Sequence, residues 1–362
     1  MGTKAMKISH GAMGLALVGL LTACAQPEVI LPGERFGLRE ALPEVDENGA
    51  LIAPAQDAAA DGENRAEPIS LPATVNYSAW THRAGEADHS IRHPAFSTAP
   101  SVIWSARIGD GNDRKHRITA DPIVAGGKIF TLDSRATVMA HATNGGTLWS
   151  TDLTPASDRS DDASGGGLAF GGGRLFVTNG FGRLTALDPT SGAVIWTQRF
   201  DAPASGAPSV VDGIVYVVTE DNRGFAVDAE DGRIKWDVNG TPDGTGVVGT
   251  SSPAVSDRLV LFPFSSNEMI AVLRESGVRS WAAFVNGRRA GRGYSAITDI
   301  TGEPVIAGDV IYAGNAVGRT IAMDMSGQRL WTANDGATGP VWVSGGSVFL
   351  ISDEAKLVRL DA

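Results

Sequence analysis

The sequence predicts an all-β protein, a β-propeller made of four-stranded antiparallel blades. Three observations support this prediction. Tryptophan recurs at intervals of 40 to 50 residues, at Trp104, Trp149, Trp196, Trp236, Trp281 and Trp331. Between these tryptophans lie short apolar runs bounded by Gly, Asn and Asp, which is typical of strands and not of helices. Glycine is frequent, with 45 residues in 362, and lacks a collagen-like period, so it indicates many tight turns.

Each repeat has the same order of strands and turns. In the second repeat, a strand at 175–178 is followed by a turn at 179–182, a strand at 184–188, a turn at 189–192 and the tryptophan strand at 194–196. In three repeats the third strand ends in an aspartate, at Asp188, Asp228 and Asp324. Such a carboxylate accepts hydrogen bonds from the following amides, and the glycine after it supplies a positive φ. Sheets of this kind form a propeller, and we expect each indole to pack between adjacent blades.

The first 23 residues have the pattern of an export signal. Lys4 and Lys7 precede an uncharged, mostly apolar run at 11–23. This run is too short to cross a hydrocarbon core of about 30 Å. It ends in Leu-Thr-Ala-Cys at Cys24, which resembles the lipobox of bacterial lipoproteins. By that resemblance residues 1–23 are a signal peptide and Cys24 is acylated; an ordinary secretory signal is the alternative.

The chain after Cys24 changes composition once. Residues 24–72 are rich in Pro, Ala and acidic residues and have weak apolar periodicity, which predicts a disordered tether behind the acylated cysteine. Residues 73–362 carry the repeats and are predicted to be the propeller. The start of the chain is either Met1 or Met6, because a lysine precedes the apolar run in both cases.

Charge excludes one class of partner. The chain has 30 basic and 41 acidic residues and a net charge of −11. An acidic surface repels phosphate backbones, so we expect no nucleic acid among the partners.

The repeated Ala-x-Asp, Gly and Trp positions resemble the pyrroloquinoline-quinone-type propeller repeat. Together with the lipobox and the tether, residues 73–362 resemble the BamB family of propeller lipoproteins. The resemblance implies an eight-bladed family fold without a cofactor, anchored by lipid to the periplasmic face of the outer membrane. It also implies a non-catalytic scaffold that docks on BamA and other subunits of the β-barrel assembly machinery and assists nascent outer-membrane proteins. A propeller lipoprotein of another envelope complex is an alternative.

Two connections between repeats match loops with which this family contacts BamA. In the first, Val247 stands in an apolar place and Val248 replaces the arginine of the family. The next connection retains Asp299 but has Thr301 in place of a second aspartate. The resemblance therefore implies that these four residues bind the partner, with a docking chemistry that is only partly preserved.

The second of these connections also carries a basic cluster. Arg292 stands near Arg288 and Arg289, where it is placed either to pair with an acidic partner surface or to remain solvated. Because the two connections are neighbours in the repeat order, we expect residues 245–250 and 288–301 to lie together on one face.

The competing function is that of a quinone-dependent dehydrogenase, which is built from the same repeats. Such an enzyme needs a deep central site with Ca²⁺, an aspartate base and a tryptophan floor, and many members add a disulfide of adjacent cysteines. This chain has no cysteine after Cys24, and such dehydrogenases are usually longer. We therefore predict no catalytic residue and no cofactor.

Three other clusters have ordinary interpretations. His89 and His93 are predicted to be a surface pair, and the aspartates within 158–162 a solvated acidic loop, so that no metal site is expected. The glycine-rich stretches 171–173 and 180–182 are predicted to be hairpin turns, because no helix follows to receive a phosphate.

The last repeat raises the question of ring closure. It runs over 339–361 and stops before its own glycine turn and tryptophan strand, whereas residues 101–106 are an unmatched tryptophan strand at the front. In one interpretation 101–106 pair beside 356–361 and close a six-bladed ring, which hides two sheet edges. In the other, which we favour because the family has eight blades, the chain is a C-terminally truncated member with five complete blades, one partial blade and a gap.

Overall fold

The computed structural model describes residues 68–242, 251–287 and 299–362, and these residues form 23 β-strands in six sheets. Each sheet is antiparallel and contains strands that are consecutive in the chain. Five sheets have four strands and the last has three. The predicted all-β propeller, with six blades, is confirmed.

The blades follow one another along the chain. Blade 1 comprises β1 (Ile123–Ala125), β2 (Lys128–Leu132), β3 (Thr137–Ala142) and β4 (Thr147–Asp152). Blade 2 comprises β5 (Gly166–Gly171), β6 (Arg174–Asn179), β7 (Arg183–Leu187) and β8 (Val194–Arg199). Blade 3 comprises β9 (Ser209–Val211), β10 (Ile214–Thr219), β11 (Arg223–Asp228) and β12 (Ile234–Asn239).

The second half repeats this arrangement. Blade 4 comprises β13 (Ala254–Val255), β14 (Leu259–Pro263), β15 (Glu268–Leu273) and β16 (Arg279–Phe284). Blade 5 comprises β17 (Gly302–Ala307), β18 (Val310–Asn315), β19 (Arg319–Asp324) and β20 (Arg329–Ala333). Blade 6 comprises β21 (Trp342–Ser344), β22 (Ser347–Ile351) and β23 (Leu357–Asp361).

Within a blade, the tryptophan of the fourth strand faces a fully buried alanine of the third strand. The pairs are Ala140–Trp149, Ala186–Trp196, Ala226–Trp236, Ala271–Trp281 and Ala322–Trp331. The strand register shifts immediately after each of these alanines, so a bulge recurs at the same place in five blades. The small methyl group of this alanine leaves room for the indole on the neighbouring strand, which explains why alanine recurs at this position of the repeat.

Five of the six repeat indoles also lie against a glycine of the blade that follows them in the chain. A Cβ added at Gly192 would lie 2.5 Å from the ring of Trp149, and one at Gly232 would lie 2.7 Å from the ring of Trp196. Gly145, Gly277 and Gly327 meet Trp104, Trp236 and Trp281 in the same way. The indole nitrogen of Trp196 donates to the carbonyl of Ala229, 3.2 Å away in blade 3. One residue type thus joins successive blades by packing and by a hydrogen bond.

The aspartates of the repeat form the predicted turns. Oδ1 of Asp188 accepts hydrogen bonds from the amides of Thr190 and Ser191, at 2.9 and 2.8 Å. Asp228 and Asp324 accept equivalent bonds from the amides that follow them. The amide of Ser191, followed by its hydroxyl, holds the pKa of the Asp188 carboxyl below its usual range. The two glycine-rich stretches also lie where predicted, in the hairpins β5–β6 and β6–β7.

Residues 101–106 form no strand, so the prediction of a tryptophan strand there is wrong. Within the part of the chain that the structure describes, they make no backbone pairing with 356–361, and blade 6 has three strands. Val102 and Ile103 are 88% and 84% exposed. The segment instead contacts blade 1, where the ring of Trp104 lies over Gly145 as the other indoles lie over their glycines. This contact fixes the indole of Trp104, but it involves no backbone pairing of residues 101–106 with a strand of blade 1.

The predicted signal peptide, Cys24 and the tether up to residue 67 lie outside the described residues. The described end of the tether contacts blade 6, since the carbonyl of Pro68 accepts a hydrogen bond from Arg359 at 3.2 Å. Among the described residues, no helix has the length and apolar character needed to cross a membrane.

A glycine substitution tests the contact between blades. Gly232→Ala should lower the free energy of unfolding by about 3 kcal/mol, because the new methyl group would overlap the Trp196 ring and the residue has a φ of +79°. Gly213→Ala, in the same blade, is the control, since that glycine has a φ of +76° and nothing within 4 Å. The control should cost about 1 kcal/mol, from the backbone alone. Urea denaturation measures both, and equal losses would contradict the packing role of the glycine.

Candidate functional site

Residues 80–91, which precede the first blade, reach the first strand of every blade; we call this stretch the axial segment. Its hydrogen bonds follow the order of the blades along the chain. They join Trp80 to Val124, Thr81 to Phe170, His82 to Val210, Ala87 to Val255, Asp88 to Ile306 and Ile91 to Trp342, with donor–acceptor distances of 2.7 to 3.0 Å. Because one short stretch contacts six successive blades, their first strands converge around it.

The axial segment satisfies backbone groups that the blades leave unpaired. The first strand of each blade pairs with the second strand on one side only, so its other edge carries free amides. Five of these amides stand at equivalent positions in their blades. In each case the residue is on the first strand and pairs with the residue five positions later in the chain, on the second strand. They are the amides of Val124, Phe170, Val210, Val255 and Ile306. Acceptors in the axial segment bind all five, so its residues occupy the centre of the blades.

Two buried histidines belong to this segment. The amide of Val210 donates to Nε2 of His82 at 3.0 Å, and Nδ1 of His89 donates to the carbonyl of Pro304 at 2.8 Å. Both rings are nearly inaccessible to solvent. The prediction of a surface pair is therefore wrong for His89, because the chain turns into the centre there, whereas the half-buried His93 contacts the carbonyl of Pro72.

The axial segment also places a charge in the interior. Nε of Arg83 lies 2.8 Å from Oε1 of Glu303. Glu303 is the second residue of β17, the first strand of blade 5, and its side chain is 1% exposed. Oε1 of Glu303 also accepts from the amide and the hydroxyl of Ser252, both at 3.3 Å. Burial raises the pKa of the Glu303 carboxyl, and the charge of Arg83 opposes that rise. Neither residue is predicted from the sequence to be functional, because the axial segment does not repeat and Glu303 occupies no defined position of a motif.

The predicted docking loops adjoin at the ends that the structure describes. The hydroxyl of Ser251, after the first loop, donates to the carbonyl of Ile300, at the end of the second. Asp299 is largely buried beside Ile300, and the hydroxyl of Thr301 donates to the carbonyl of Ala337 at 2.9 Å. These two predicted docking residues therefore lie near Ser251, close to the centre of the blades.

Three further predicted docking residues, Val247, Val248 and Arg292, lie outside the described residues. The basic cluster with Arg292 lies there as well.

The acidic loop between blades 1 and 2 carries its own counter-charge. Arg159 lies 3.4 Å from Asp161 and 3.2 Å from Asp162, and its side chain is 78% exposed. In the described ranges, no group of three or more His, Cys, Asp or Glu side chains is placed to hold a metal ion.

The chain is similar in sequence and in structure to known proteins. The family model described as outer membrane protein assembly factor BamB matches residues 134–362. The outer membrane protein assembly factor BamB of Yersinia pestis is 27% identical over 269 residues, which is 72% of this chain and 68% of that protein. The solved structure of BamB from Moraxella catarrhalis has a TM-score of 0.58 and 19% identity, covering 67% of this chain and 72% of that chain.

A quinohemoprotein alcohol dehydrogenase from Pseudomonas putida has a TM-score of 0.60 and 17% identity, covering 78% of this chain and 59% of that one. At such low sequence identities, the similarity to these two solved structures shows only that the fold is shared. The blades and their tryptophan repeat thus define a β-propeller of the quinone-type repeat class.

Because the family model matches more than half of the chain, the chain belongs to the family of outer membrane protein assembly factor BamB. The resemblance predicted from the repeat and the lipobox-like sequence is confirmed at the level of this family.

The buried histidines predict a pH dependence of stability. Burial lowers the pKa of His82 and of His89 from 6.5 to about 4. As the pH falls from about 6.5, the unfolded chain therefore binds protons before the folded one, and the free energy of unfolding decreases until about pH 4. The decrease should be on the order of 3 kcal/mol for each histidine.

His82→Gln, which keeps a polar group near Val210, should remove about half of this histidine contribution. Urea denaturation of the protein and the variant at pH 7 and pH 4.5 measures the difference. His93→Gln, a change outside the axial segment, shows whether the loss of any histidine has the same effect. An identical pH dependence in the protein and in His82→Gln would refute the assignment.

Proposed function

We propose that this protein is a non-catalytic scaffold of the outer-membrane β-barrel assembly machinery, which docks on BamA and assists barrel insertion from the periplasmic face. The observation that carries the proposal is the family match over 134–362, which includes both predicted docking loops. The contact between Ser251 and Ile300 supports it further, because it brings the ends of these loops to one place.

The docking surface that we propose contains apolar and polar residues from two successive connections. Val247 and Val248 supply the apolar part, and Asp299, Thr301 and Arg292 supply the polar part. A small apolar centre inside a polar rim is the usual arrangement of a protein–protein interface. Other subunits of the machinery and nascent barrel strands are the further partners of this scaffold.

The filled centre supports a role without catalysis. A quinone-dependent propeller enzyme needs its cofactor at the centre of the blades. In this protein the axial segment occupies that place, and its acceptors bind the free amides of the inner strands. A cofactor at this level would have to displace at least five hydrogen bonds at once.

The docking surface is tested by a double replacement. Val247→Ser with Asp299→Ala should weaken capture of the purified periplasmic part of BamA about tenfold, which corresponds to about 1.4 kcal/mol. Surface plasmon resonance measures the affinity. Asp158→Ala, which removes an exposed carboxylate from the connection between blades 1 and 2, is the control for a change outside the docking loops and should bind normally. Normal binding by the double variant, with both proteins folded by circular dichroism, would place the interface elsewhere.

The lipid anchor is tested at Cys24. Cys24→Ser should move the protein from the membrane fraction to the soluble periplasmic fraction, because the thiol that receives the lipid is absent. Immunoblotting of fractionated cells measures the distribution, and an outer-membrane porin and a soluble periplasmic protein serve as fraction controls. Retention of the variant in the membrane fraction to the same extent would show that lipid on this cysteine is not the anchor.

A further inference from the structure

A single buried carboxylate connects three separate parts of the chain. Glu303 contacts Arg83 of the axial segment through an ion pair and Ser252, ahead of blade 4, through hydrogen bonds. Its own backbone belongs to β17 of blade 5. The side chain of Arg83 is 22% exposed, so the pair is shielded from solvent and from salt.

The backbone on either side of Glu303 is held by the same segment. The carbonyl of Pro304 accepts from His89 at 2.8 Å, and the amide of Ile306 donates to the carbonyl of Asp88 at 2.9 Å. On the other side, Thr301 contacts blade 6 through Ala337 and Ile300 accepts from Ser251. The stretch 299–306 is thus fixed by contacts with several elements, and the axial segment supplies three of them.

We propose that Arg83 and Glu303 are the positioning pair of the docking surface, through which the axial segment sets the geometry of residues 251–253 and 299–304. This inference rests on the proposed function, since it concerns the surface that binds BamA. The axial segment then has two roles: it occupies the centre of the blades, and it positions the residues that bind the partner.

The physical reason is the cost of an unpaired buried charge. Without Arg83, the carboxylate of Glu303 keeps only the two long bonds to Ser252, and Oε2 has no partner among the described residues. A buried carboxylate in this state either takes up a proton or moves toward water. Both outcomes loosen the contact with Ser252, and with it the described ends of both docking loops.

A purely structural ion pair is the alternative, and a matched control separates the two. Arg174 is also a partly buried arginine that bridges blades, since its Nη1 donates to the carbonyls of Ala229 and Glu230 at 2.7 Å. It lies between blades 2 and 3, away from the docking loops. Arg174→Met should therefore affect stability without affecting capture of BamA.

The experiment compares Arg83→Met, Glu303→Gln, the double variant and Arg174→Met in the full chain. Hydrogen exchange followed by mass spectrometry reports on peptides over 251–253 and 299–304, and surface plasmon resonance reports on BamA. We expect Arg83→Met and Glu303→Gln each to raise exchange in both peptides and to weaken capture about tenfold. The double variant should be no weaker than either single variant, because all three break the same link.

Three outcomes would overturn the inference. One is unchanged exchange in both peptides for Arg83→Met; another is raised exchange with unchanged capture; the third is an equal loss of capture in Arg174→Met. If the unmodified protein does not bind BamA, the proposed function fails. The exchange of the two peptides then still decides whether this pair positions them.

Discussion

The structure depends on one repeated contact, in which an indole is held between two residues without bulky side chains. The alanine on the third strand of its own blade leaves room on one side, and the glycine in the turn of the next blade leaves room on the other. A larger side chain at the glycine would overlap the indole, and one at the alanine would crowd it. This explains why the alanine, the tryptophan and the glycine recur together in the repeat. It also shows that tryptophan in this fold needs no ligand to account for its recurrence, since the rings pack within the protein and the indole nitrogens of Trp149, Trp196 and Trp281 donate to backbone carbonyls.

The repeat could be predicted because its physical requirements are local. Four strands, a bulge, an aspartate turn and a glycine with positive φ all lie within about 45 residues of sequence, and each has its own pattern of residue types. The number of blades and the positions of the hairpins follow from counting. Residues 101–106 show the limit of this reasoning. They have the composition of a strand, but a strand exists only where another backbone edge is available, and composition does not say which edge is near.

The candidate site could be predicted only in part, for a related reason. Asp299 and Thr301 were found through a family loop pattern, but Arg83 and Glu303 are 220 positions apart and share no motif. The prediction that His89 lies at the surface is wrong, because a spacing of four residues from His93 does not say which of the two side chains enters the interior. The axial segment has no period, since it crosses from blade to blade and meets a different neighbour at every step. Its role becomes visible only when the six first strands are seen to share it.

The axial segment has a consequence for how such a protein acquires its structure. A stack of blades in which each contacts only its neighbours would gain stability step by step, as a solenoid does. Here the carbonyl of Ile91 binds Trp342, 251 positions later in the chain, and other residues of the same stretch bind the five blades between. During synthesis this stretch leaves the ribosome before any of the six described blades, and it cannot complete its contacts until the sixth is made. Contacts of such long range slow folding but join the blades into one cooperative unit. A chain whose later blades are not yet made would therefore expose the inner edges of its earlier blades, and such unpaired edges are open to pairing with other chains.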